Sequence, residues 1–355
     1  MTSLTEVPGE STRSAGPAEA PGCAAPGTVT GSIGSLYDQL DGAHVAVVGL
    51  GRTGRAVVDA LATLGARIHV FDGNEASIEA LDAFTHAAMA TSVVSTTVAG
   101  GEATAAALAQ SPARLLIVSP GVPATGPVLR AAEATGIETW SEIELAWRLQ
   151  QDSSRPDVPW LSLTGTDGKT TTVGMLGEIL RSVGVKVEEV GNIGTPITRA
   201  IDCDAEVFAV ELSSFQLHTA YTVSPLASVC LNVDADHLDW HGSVEAYAAD
   251  KARVYENTVK ACVYPASDRT VEAMVENADV VEGARAIGVT LGAPSVSQFG
   301  VVEGLLVDRA FVENRARQAV ALAHVSDLSG AYGPHPSAAA LSDALAAAAL
   351  ARAYG

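Results

Sequence analysis

Two glycine-rich turns, each between an apolar run and a helical pattern, constrain the fold more than any other feature of the sequence. The first lies in HVAVVGLGRTGRAVVDALATLG, residues 44–65, and the second in WLSLTGTDGKTTTVGMLGEILRSVG, residues 160–184. A buried strand that enters a helix through a tight glycine turn is the building unit of parallel α/β sheets. We therefore predict an α/β fold that contains two such units.

Other apolar runs extend both units, and most of them end on polar residues. They are RIHVFD (67–72), ARLLIVSPG (113–121), AEVFAVEL (205–212) and LASVCLNV (226–233). Parallel-sheet proteins place their chemistry just beyond the carboxyl ends of the strands, so these polar residues are candidates for a site. Glu211 ends one run, and Asn232, Asp234, Asp236 and His237 follow another.

Composition divides the chain into three parts. Residues 1–40 begin with a stretch rich in Pro, Gly, Ser and Glu, which predicts a disordered tail. The polar, proline-containing stretch 152–159, DSSRPDVP, is the best boundary between the two units. We predict a Rossmann-like domain over residues 41–150 and a P-loop-type central domain with a mostly parallel sheet over residues 151–355.

Charge and hydropathy exclude several classes of function. The 355 residues include 21 Lys and Arg against 41 Asp and Glu, a net charge of −20. Such a chain repels nucleic acid and anionic membranes, so we expect small-molecule substrates and neither of those partners. No apolar run reaches transmembrane length.

The cysteines indicate a reducing compartment. Cys23, Cys203, Cys230 and Cys262 are scattered, without a C-x-x-C pair. This spacing favours neither a disulfide framework nor a zinc site. We expect a monomeric protein of the cytoplasm.

The first glycine motif, taken alone, supports two interpretations. Gly49, Gly51 and Gly54 form G-x-G-x-x-G, and Asp72 ends the next strand. This is the pattern of a dinucleotide-binding turn, in which the acidic residue binds a ribose hydroxyl. An NAD-linked oxidoreductase is therefore one hypothesis. The alternative is that the glycines only permit close packing of the helix on the strand.

The second glycine motif indicates a phosphate site. In Thr164–Thr172, TGTDGKTTT, the loop N–H groups face phosphates, Lys169 reaches the terminal phosphates and Thr170 can hold Mg²⁺. It is not a strict Walker A sequence, because Leu163 stands where the first glycine is expected. The alternative, a strand–helix turn without a ligand, does not require a Lys-Thr-Thr run directly after glycine, so we favour the phosphate site.

Five ordered motifs resemble those of the Mur ligases, from about Val45 to the C-terminus. They are TGTDGKTTT (164–172), GNIG (191–194), VELSSFQL (210–217), LNVDADHLDWHGS (231–243) and YAADKARVYEN (247–257). ELSSFQL favours the members that add D-glutamate. The resemblance implies an ATP-dependent amide ligase of peptidoglycan precursor synthesis. Its substrates would be ATP, D-glutamate and UDP-N-acetylmuramoyl-L-alanine, and it would act through an acyl phosphate.

The resemblance also implies roles for residues of the second unit. ATP would be bound by Gly165, Thr166, Asp167, Gly168, Lys169, Thr170 and Thr171. Lys169, His237 and Lys251 would be catalytic. One Mg²⁺ would be held by Thr170 and Glu211, and a second by His237 and a carbamylated Lys251. By composition alone, Lys251 is a lysine on a helix, for which a surface charge is the plain alternative.

The first unit would then bind the UDP part of the substrate rather than NAD. By the same resemblance, Gly51, Arg52, Thr53 and Gly54 would cradle the diphosphate, and Asp72 and Asn74 would face the uracil or ribose. Ser119 and Gly121 would lie in the same cleft. Asn192, Ser213 and Gln216 would complete the substrate site, with Ser213, Ser214 and Gln216 placed to orient Glu211.

Three departures from the family pattern bear on function. Asp167 replaces an expected Asn, so we expect weaker binding of ATP because of the added carboxylate. Near the C-terminus His335 is followed by Pro336, and Asp343 stands where Asn is expected. We also expect the C-terminal third domain of the family to be absent. The competing hypothesis is therefore a catalytically impaired paralogue that binds the UDP-sugar peptide or ATP.

Overall fold

The computed structural model of the chain describes residues 35–84, 92–333 and 335–355. Two sheets are present, one after the other along the sequence, and both are flanked by helices. The α/β class predicted from the sequence is confirmed.

The first sheet has five parallel strands in the order β3-β2-β1-β4-β5. Val45–Val48 and Leu115–Val118 are buried at every residue, as expected for central strands covered by helices on both faces. The strands are β1 His44–Val48, β2 Arg67–Asp72, β3 Val93–Val98, β4 Leu115–Val118 and β5 Glu138–Trp140.

Among residues 35–84 and 92–151, six helices accompany the first sheet. The first glycine turn opens the second of them, and the last carries two buried glutamates in its first turn. The helices are α1 Leu36–Leu40, α2 Arg52–Thr63, α3 Glu75–Phe84, α4 Glu102–Gln110, α5 Pro127–Thr135 and α6 Glu142–Gln151.

The predicted disordered tail, residues 1–40, extends too far, because it includes the helix α1. Ser35 caps α1 by accepting from the Asp38 backbone N–H, and Leu36 and Leu40 are buried in the core beneath the first sheet. Two leucines four residues apart give this short helix one apolar face to bury. Residues 1–34 lie outside the described part of the chain.

The second sheet has nine strands in the order β14-β13-β12-β11-β10-β9-β6-β8-β7. The seven strands β6 to β12 are parallel, and β13 and β14 add an antiparallel edge, so the sheet is mostly parallel as predicted. The strands are β6 Trp160–Thr164, β7 Val187–Gly191, β8 Val207–Glu211, β9 Ala227–Cys230, β10 Ala261–Pro265, β11 Arg285–Val289, β12 Gln298–Val302, β13 Leu305–Asp308 and β14 Val320–His324.

In the described part of the second half, eight α-helices accompany the sheet. The longest packs against the helix that follows the second glycine turn, through an alanine-rich and almost continuously buried surface. The helices are α7 Lys169–Ser182, α8 Ile197–Ala200, α9 Ser214–Leu217, α10 Leu238–His241, α11 Val244–Ala252, α12 Arg269–Asn277, α13 Ser329–Tyr332 and α14 Ala338–Tyr354. Across the described ranges, no helix is long and apolar enough to cross a membrane.

The two sheets are joined by a shared core rather than by a loose linker. Residues 152–159 connect α6 to β6, and Trp160 donates from Nε1 to Gln150 Oε1 at 2.5 Å across that connection. Trp160 and Phe208 of the second sheet belong to the same buried cluster as Val45 of the first. Because apolar side chains of both sheets are buried in one cluster, their packing fixes how the two halves face each other. This arrangement matters for any site between the halves.

Candidate nucleotide and substrate site

Strand order brings three loops of the second sheet to one edge. β6 lies between β8 and β9, and all three run in the same direction. The phosphate loop follows β6, Glu211 is the last residue of β8, and Asn232 follows β9. The candidate residues predicted at these strand ends are therefore neighbours in space.

Backbone geometry shapes the loop that begins α7. Gly168 is its N-cap with a φ of 82°, a left-handed conformation that favours glycine. A Cβ at this position would also lie 2.6 Å from Asp343 Oδ1. Within the described structure no side chain caps this helix, which leaves its first-turn N–H groups facing the loop. Thr171 is half-buried in that first turn.

Asn232 fixes the loop from the neighbouring strand end. Its Oδ1 accepts from the Asp167 backbone N–H at 2.9 Å, its Nδ2 donates to the Asp167 carbonyl at 3.2 Å, and its carbonyl accepts from the Thr166 N–H at 3.1 Å. The backbone of Asp167 is thus held, while its side chain is exposed. The sequence placed Asn232 at a strand end but did not assign it this role.

Two lysines meet at the loop. Lys169 Nζ donates to the carbonyls of Gly165 and Thr166 at 2.9 and 2.8 Å, and Lys251 Nζ donates to the Gly165 carbonyl at 2.7 Å. Lys251 comes from α11 and is only 2% exposed, so it is not a surface charge. The structure therefore gathers two of the three predicted catalytic residues around one carbonyl oxygen.

Burial changes the acid–base properties of Lys251. Loss of hydration, and to a smaller extent the positive charge of Lys169, lower its pKa from 10.5 to about 8. Its ammonium group lies 4.6 Å from the ring centre of Tyr247, one helical turn earlier on α11. Tyr247 in turn bonds to Thr166 through the two hydroxyl groups at 3.0 Å. Tyr247 was missed, although its i, i+4 spacing to Lys251 was visible in the sequence.

Glu211 is a buried carboxylate held by two side chains. It is 1% exposed, which excludes a solvated strand end. Thr170 donates from Oγ1 to Oε2 at 3.0 Å, and Asn192 donates from Nδ2 to Oε1 at 2.9 Å. The structure thus brings together the Thr170–Glu211 pair and the predicted substrate residue Asn192.

The prediction that Ser213, Ser214 and Gln216 orient Glu211 is wrong. Ser213 and Gln216 bond to each other in a capping box at the start of α9, because Ser213 is its N-cap and Gln216 its third residue. Ser214 instead bonds from Oγ to His241 Nε2 at 3.0 Å.

His237 stands in a strained position near this edge. It is a non-glycine residue with φ 52° and ψ 34°, at the N-cap of α10. Its backbone N–H donates to Asp236 Oδ1 at 2.7 Å, and its ring lies 4.9 Å from that of Phe215 and 6.4 Å from that of Tyr247. A side chain about half exposed and held in this conformation is available to a ligand.

A chain of buried polar groups supports the short helices around His237 and Lys251. Asp250 accepts from His241 Nδ1 at 2.8 Å and from His218 Nδ1 at 2.9 Å, and His241 continues to Ser214. These contacts tie α9, α10 and α11 together. Asp250, His241 and His218 had no predicted role, since nothing local in the sequence shows that these elements meet.

The first sheet carries a cavity of about 490 Å³ at the carboxyl ends of its strands. Six residues predicted to bind the substrate line it: Gly51, Arg52, Thr53, Asp72, Ser119 and Gly121. Gly54 has a packing role instead, because a Cβ there would lie 1.8 Å from the Gly49 carbonyl oxygen. The simple alternative for the first motif, close helix–strand packing, is thus correct for its third glycine.

Several of the polar groups in this cavity already have backbone partners. Asp72 accepts from the N–H groups of Leu50 and Asn74 at 2.5 and 2.7 Å. Asn74 accepts from the Ala76 N–H at 3.0 Å, at the start of α3, and does not line the cavity. Ser119 donates to the Gly49 carbonyl at 2.8 Å. These bonds fix the shape of the cavity wall.

One chain of contacts links the two glycine motifs. Arg52, at the start of α2, donates from Nη2 to the Asn192 carbonyl at 3.4 Å, and the Asn192 side chain bonds to Glu211. The first cavity and the phosphate loop are therefore connected through Arg52, Asn192, Glu211 and Thr170. A ligand that spans both halves would contact this line of residues.

The departures near the C-terminus fall in two places. His335 is exposed. Asp343 is buried against the phosphate loop, beside Gly168, and burial raises its pKa from 3.8 to about 6 although the Thr172 hydroxyl opposes this shift. An acidic side chain thus lies directly behind the turn that begins α7.

The oxygen atoms at the loop suit a hard divalent cation. Thr170 Oγ1 and Glu211 Oε2 are 3.0 Å apart, and Mg²⁺ is commonly held by one or two protein oxygens together with phosphate oxygens and water. Among the described side chains, no three His, Cys, Asp or Glu residues converge as a ready metal site. A cation here would therefore depend on oxygens that a phosphate ligand brings.

Fold and site together define a two-part α/β protein with a P-loop-like glycine turn in one half and a cavity at the strand ends of the other. Two family models match: the MurD-like N-terminal domain of Mur ligases over residues 43–141 and the Mur ligase middle domain over residues 163–295. The chain belongs to the Mur ligase family. An NAD-linked oxidoreductase is accordingly excluded.

Curated relatives agree with this assignment. UDP-N-acetylmuramoylalanine–D-glutamate ligase of Streptomyces coelicolor is 46% identical over 90% of this chain and 66% of its own length. The enzymes of that name from Leifsonia xyli and Mycolicibacterium smegmatis are 43% and 42% identical, over 91% and 92% of this chain and 64% and 60% of theirs. The chain thus spans slightly less than two thirds of the length of these relatives.

Solved structures resemble the chain more distantly. UDP-N-acetylmuramate:L-alanyl-γ-D-glutamyl-meso-diaminopimelate ligase from Neisseria meningitides has a TM-score of 0.48 and 16% identity, over 88% of this chain and 94% of that one. The Thermotoga maritima MurF ligase in complex with ADP has a TM-score of 0.44 and 16% identity, over 90% of this chain and 62% of that one.

Proposed function

We propose that this chain carries the ATP-dependent, acid-activating part of a D-glutamate-adding Mur ligase. The observation that carries the proposal is the meeting of Lys169, Lys251, Thr170 and Glu211 at one sheet edge, joined to the first cavity through Arg52 and Asn192. Its relatives bear the name of that ligase over nearly the whole chain.

ATP would bind at the loop from Gly165 to Thr171. The open first turn of α7 supplies N–H donors for phosphate oxygens, and Lys169 supplies a positive charge within reach of the loop. Lys169 now donates to two loop carbonyls and would exchange these bonds for charged phosphate oxygens, which are stronger acceptors. Asp167 and Asp343 add negative charge nearby and would weaken the affinity.

Thr170 and Glu211 would hold one Mg²⁺ together with phosphate oxygens. When bound, the ion neutralises charge on the phosphoryl group during transfer. Glu211 is suited to this role because its carboxylate is buried and oriented by two hydrogen bonds, so little ordering remains when the cation binds. His237 and Lys251 would hold a second ion only if Lys251 were no longer a cation.

Carbamylation of Lys251 would meet that requirement. The neutral amine attacks CO₂, a C–N bond forms, and a proton leaves to give a carbamate, which is an anionic oxygen ligand. A pKa lowered to about 8 makes neutral amine available near neutral pH. An unmodified, almost fully buried ammonium beside Lys169 would repel a cation instead.

The UDP part of UDP-N-acetylmuramoyl-L-alanine would occupy the first cavity. Gly51, Arg52 and Thr53 open α2 there, where N–H groups and a guanidinium suit a diphosphate. The alanine carboxylate would then extend past Asn192 toward the loop. Its oxygen would attack the γ-phosphorus of ATP, releasing ADP, and the D-glutamate amine would displace phosphate from the acyl phosphate.

A second candidate is a binding protein that holds the same UDP-substrate or ATP without turnover. The observation in its favour is the acidic pair at the loop: Asp343 against Gly168 and the exposed Asp167. Both proposals use the same cavity and loop, so only a chemical readout separates them.

Mass-spectrometric detection of the ligated product tests the proposal. The chain is incubated with ATP, Mg²⁺, bicarbonate, D-glutamate and UDP-N-acetylmuramoyl-L-alanine. Product that needs both ATP and D-glutamate supports a working ligase. Saturable binding of the UDP-substrate without ADP formation would support the binding protein. A Lys169→Met variant is the matched control for contaminating activity.

Two further expectations belong to this proposal. Cys203, Cys230 and Cys262 are free thiols, which is consistent with work in the cytoplasm. We also expect a monomer, which light scattering at several concentrations would check.

A further inference from the structure

A second cavity, with three arginines among its seven lining residues, lies on the other side of the start of α2. It measures about 490 Å³ and lies among α2, α3 and α8. Arg52, Arg55 and Arg199 line it, together with Ser77 and two leucines. Three arginines in one cavity are unexpected in a chain whose net charge is −20.

The fold, rather than chance, brings these arginines together. Arg52 and Arg55 are three residues apart on α2 and so share one face of that helix. Arg199 comes from α8, which packs against α2 across the boundary between the two sheets. The cavity therefore takes positive charge from both halves of the protein.

These charges are only partly neutralised. Arg199 pairs with Asp59, through Nη2 and Oδ2 at 2.5 Å. Neither Arg52 nor Arg55 forms an ion pair with any residue in the described ranges. The Arg55 Nε is buried and lacks a hydrogen-bond partner in that same part of the chain. An unpaired buried donor of this kind is costly unless an acceptor fills its place.

The remaining lining suggests what kind of anion fits. The Ser77 hydroxyl adds a neutral donor, and Leu50 and Leu81 supply an apolar wall. Guanidinium groups pair best with planar or tetrahedral oxyanions, which accept two hydrogen bonds at once. The cavity is large enough for a phosphate group and part of the molecule that carries it.

We infer that this arginine cavity is a second anion site, separate from the first cavity, which binds a phosphate or diphosphate group and bridges the two halves of the protein. Arg55 and Arg199 provide its specific contacts. Arg52 lies between the two cavities and lines both. Occupation of the site would strengthen the contact between α2 and α8.

Calorimetric titration with inorganic pyrophosphate tests the inference. The Lys169→Met chain is used so that the phosphate loop contributes little. We expect saturable binding that weakens about tenfold or more in Arg55→Gln and in Arg199→Gln, each of which loses a charge-assisted hydrogen bond. Asp59→Asn should tighten binding, because it removes the carboxylate that competes for Arg199. Arg67→Gln, an exposed arginine at the amino end of β2, is the matched control.

A second titration distinguishes the two cavities. Pyrophosphate is added to the same chain saturated with UDP, whose diphosphate would occupy the first cavity. Unchanged pyrophosphate affinity supports a separate site. Competition by UDP would show that the arginines serve the first cavity and would overturn the inference. Equal pyrophosphate affinity of the Lys169→Met chain with and without Arg55→Gln or Arg199→Gln would also overturn it. Thermal unfolding without ligand verifies that each variant is folded.

Discussion

Lys169 and Lys251 donate hydrogen bonds to the same atom, the carbonyl oxygen of Gly165, at 2.9 and 2.7 Å. Burial, with a smaller contribution from the positive charge of Lys169, lowers the pKa of Lys251 to about 8. The repulsion between the two ammonium groups is relieved when an anion lies between the lysines or when one lysine loses its charge. Both changes belong to the proposed function.

The first prediction concerns Lys251. In ¹³C-labelled bicarbonate, a carbamate carbon resonance should grow as the pH rises through about 8, because the neutral amine is the reactive form. The Lys251→Arg variant keeps a positive charge and should lack the signal. A resonance that persists in this variant, or none in the unsubstituted chain, would contradict the assignment.

Glu211 should affect ATP binding in opposite directions with and without metal. In Glu211→Gln we expect about tenfold weaker binding of ATP in Mg²⁺, since a charged metal ligand is lost. Binding of ATP without metal should become tighter, because a buried carboxylate next to the loop is gone. Calorimetry in Mg²⁺ and in EDTA measures both.

Glu276→Gln, at an exposed glutamate of α12, is the control for the Glu211 experiment. Equal effects of Glu211→Gln in the two buffers would mean that Glu211 supports the loop structurally and does not hold the cation.

Asp343 should make ATP binding dependent on pH. Its pKa is raised to about 6, so its carboxylate forms beside Gly168 as the pH rises through that value and then repels the triphosphate. Affinity should fall severalfold from pH 5.5 to about 7.5 in the unsubstituted chain. In Asp343→Asn this part of the pH dependence should disappear, and binding at pH 7.5 should be tighter. Parallel curves for the two chains would argue against it.

Glu142 should make stability dependent on pH. This buried residue of α6 accepts from the Thr198 N–H and hydroxyl at 2.8 and 3.0 Å, and burial raises its pKa from 4.5 to about 7. The folded chain thus keeps a proton that the unfolded chain loses between these values. The contribution is fully present below about pH 4.5 and is lost as the pH rises through about 7, which lowers the free energy of unfolding by roughly 3 kcal/mol.

Glu142→Gln isolates that effect. Its unfolding free energy relative to the unsubstituted chain should rise between pH 4.5 and 7 and stay level above pH 7. Urea unfolding at several pH values measures the difference. A difference that does not vary with pH would show that Glu142 is ionised in the folded protein.

Local sequence patterns were sufficient for most of the fold. Runs such as Trp160–Thr164 and Val207–Glu211 are buried at every residue, so their apolar character predicted parallel strands. The helix Leu36–Leu40 was missed because a five-residue helix next to a polar tail has little periodicity of its own. Its two leucines become informative only when the core that receives them is known.

The candidate site was predictable only in part, for a physical reason. Motif spacing and resemblance identified Lys169, Glu211 and Lys251, which the structure places at one sheet edge. They could not show which partners each side chain selects. Glu211 is held by Thr170 and Asn192 and not by Ser213 or Gln216, because the latter two cap their own helix. Such choices depend on strand order and on backbone groups far apart in the sequence.

The most direct test of the proposed function is to trap the acyl phosphate. The chain is incubated with ATP, Mg²⁺, bicarbonate, UDP-N-acetylmuramoyl-L-alanine and hydroxylamine, without D-glutamate, and the hydroxamate is measured by mass spectrometry. We predict a hydroxamate that requires ATP, with an equal amount of ADP, and its loss in Lys169→Met. No hydroxamate from a folded chain that binds both ATP and the UDP-substrate would contradict the proposal and leave the binding protein as the better account.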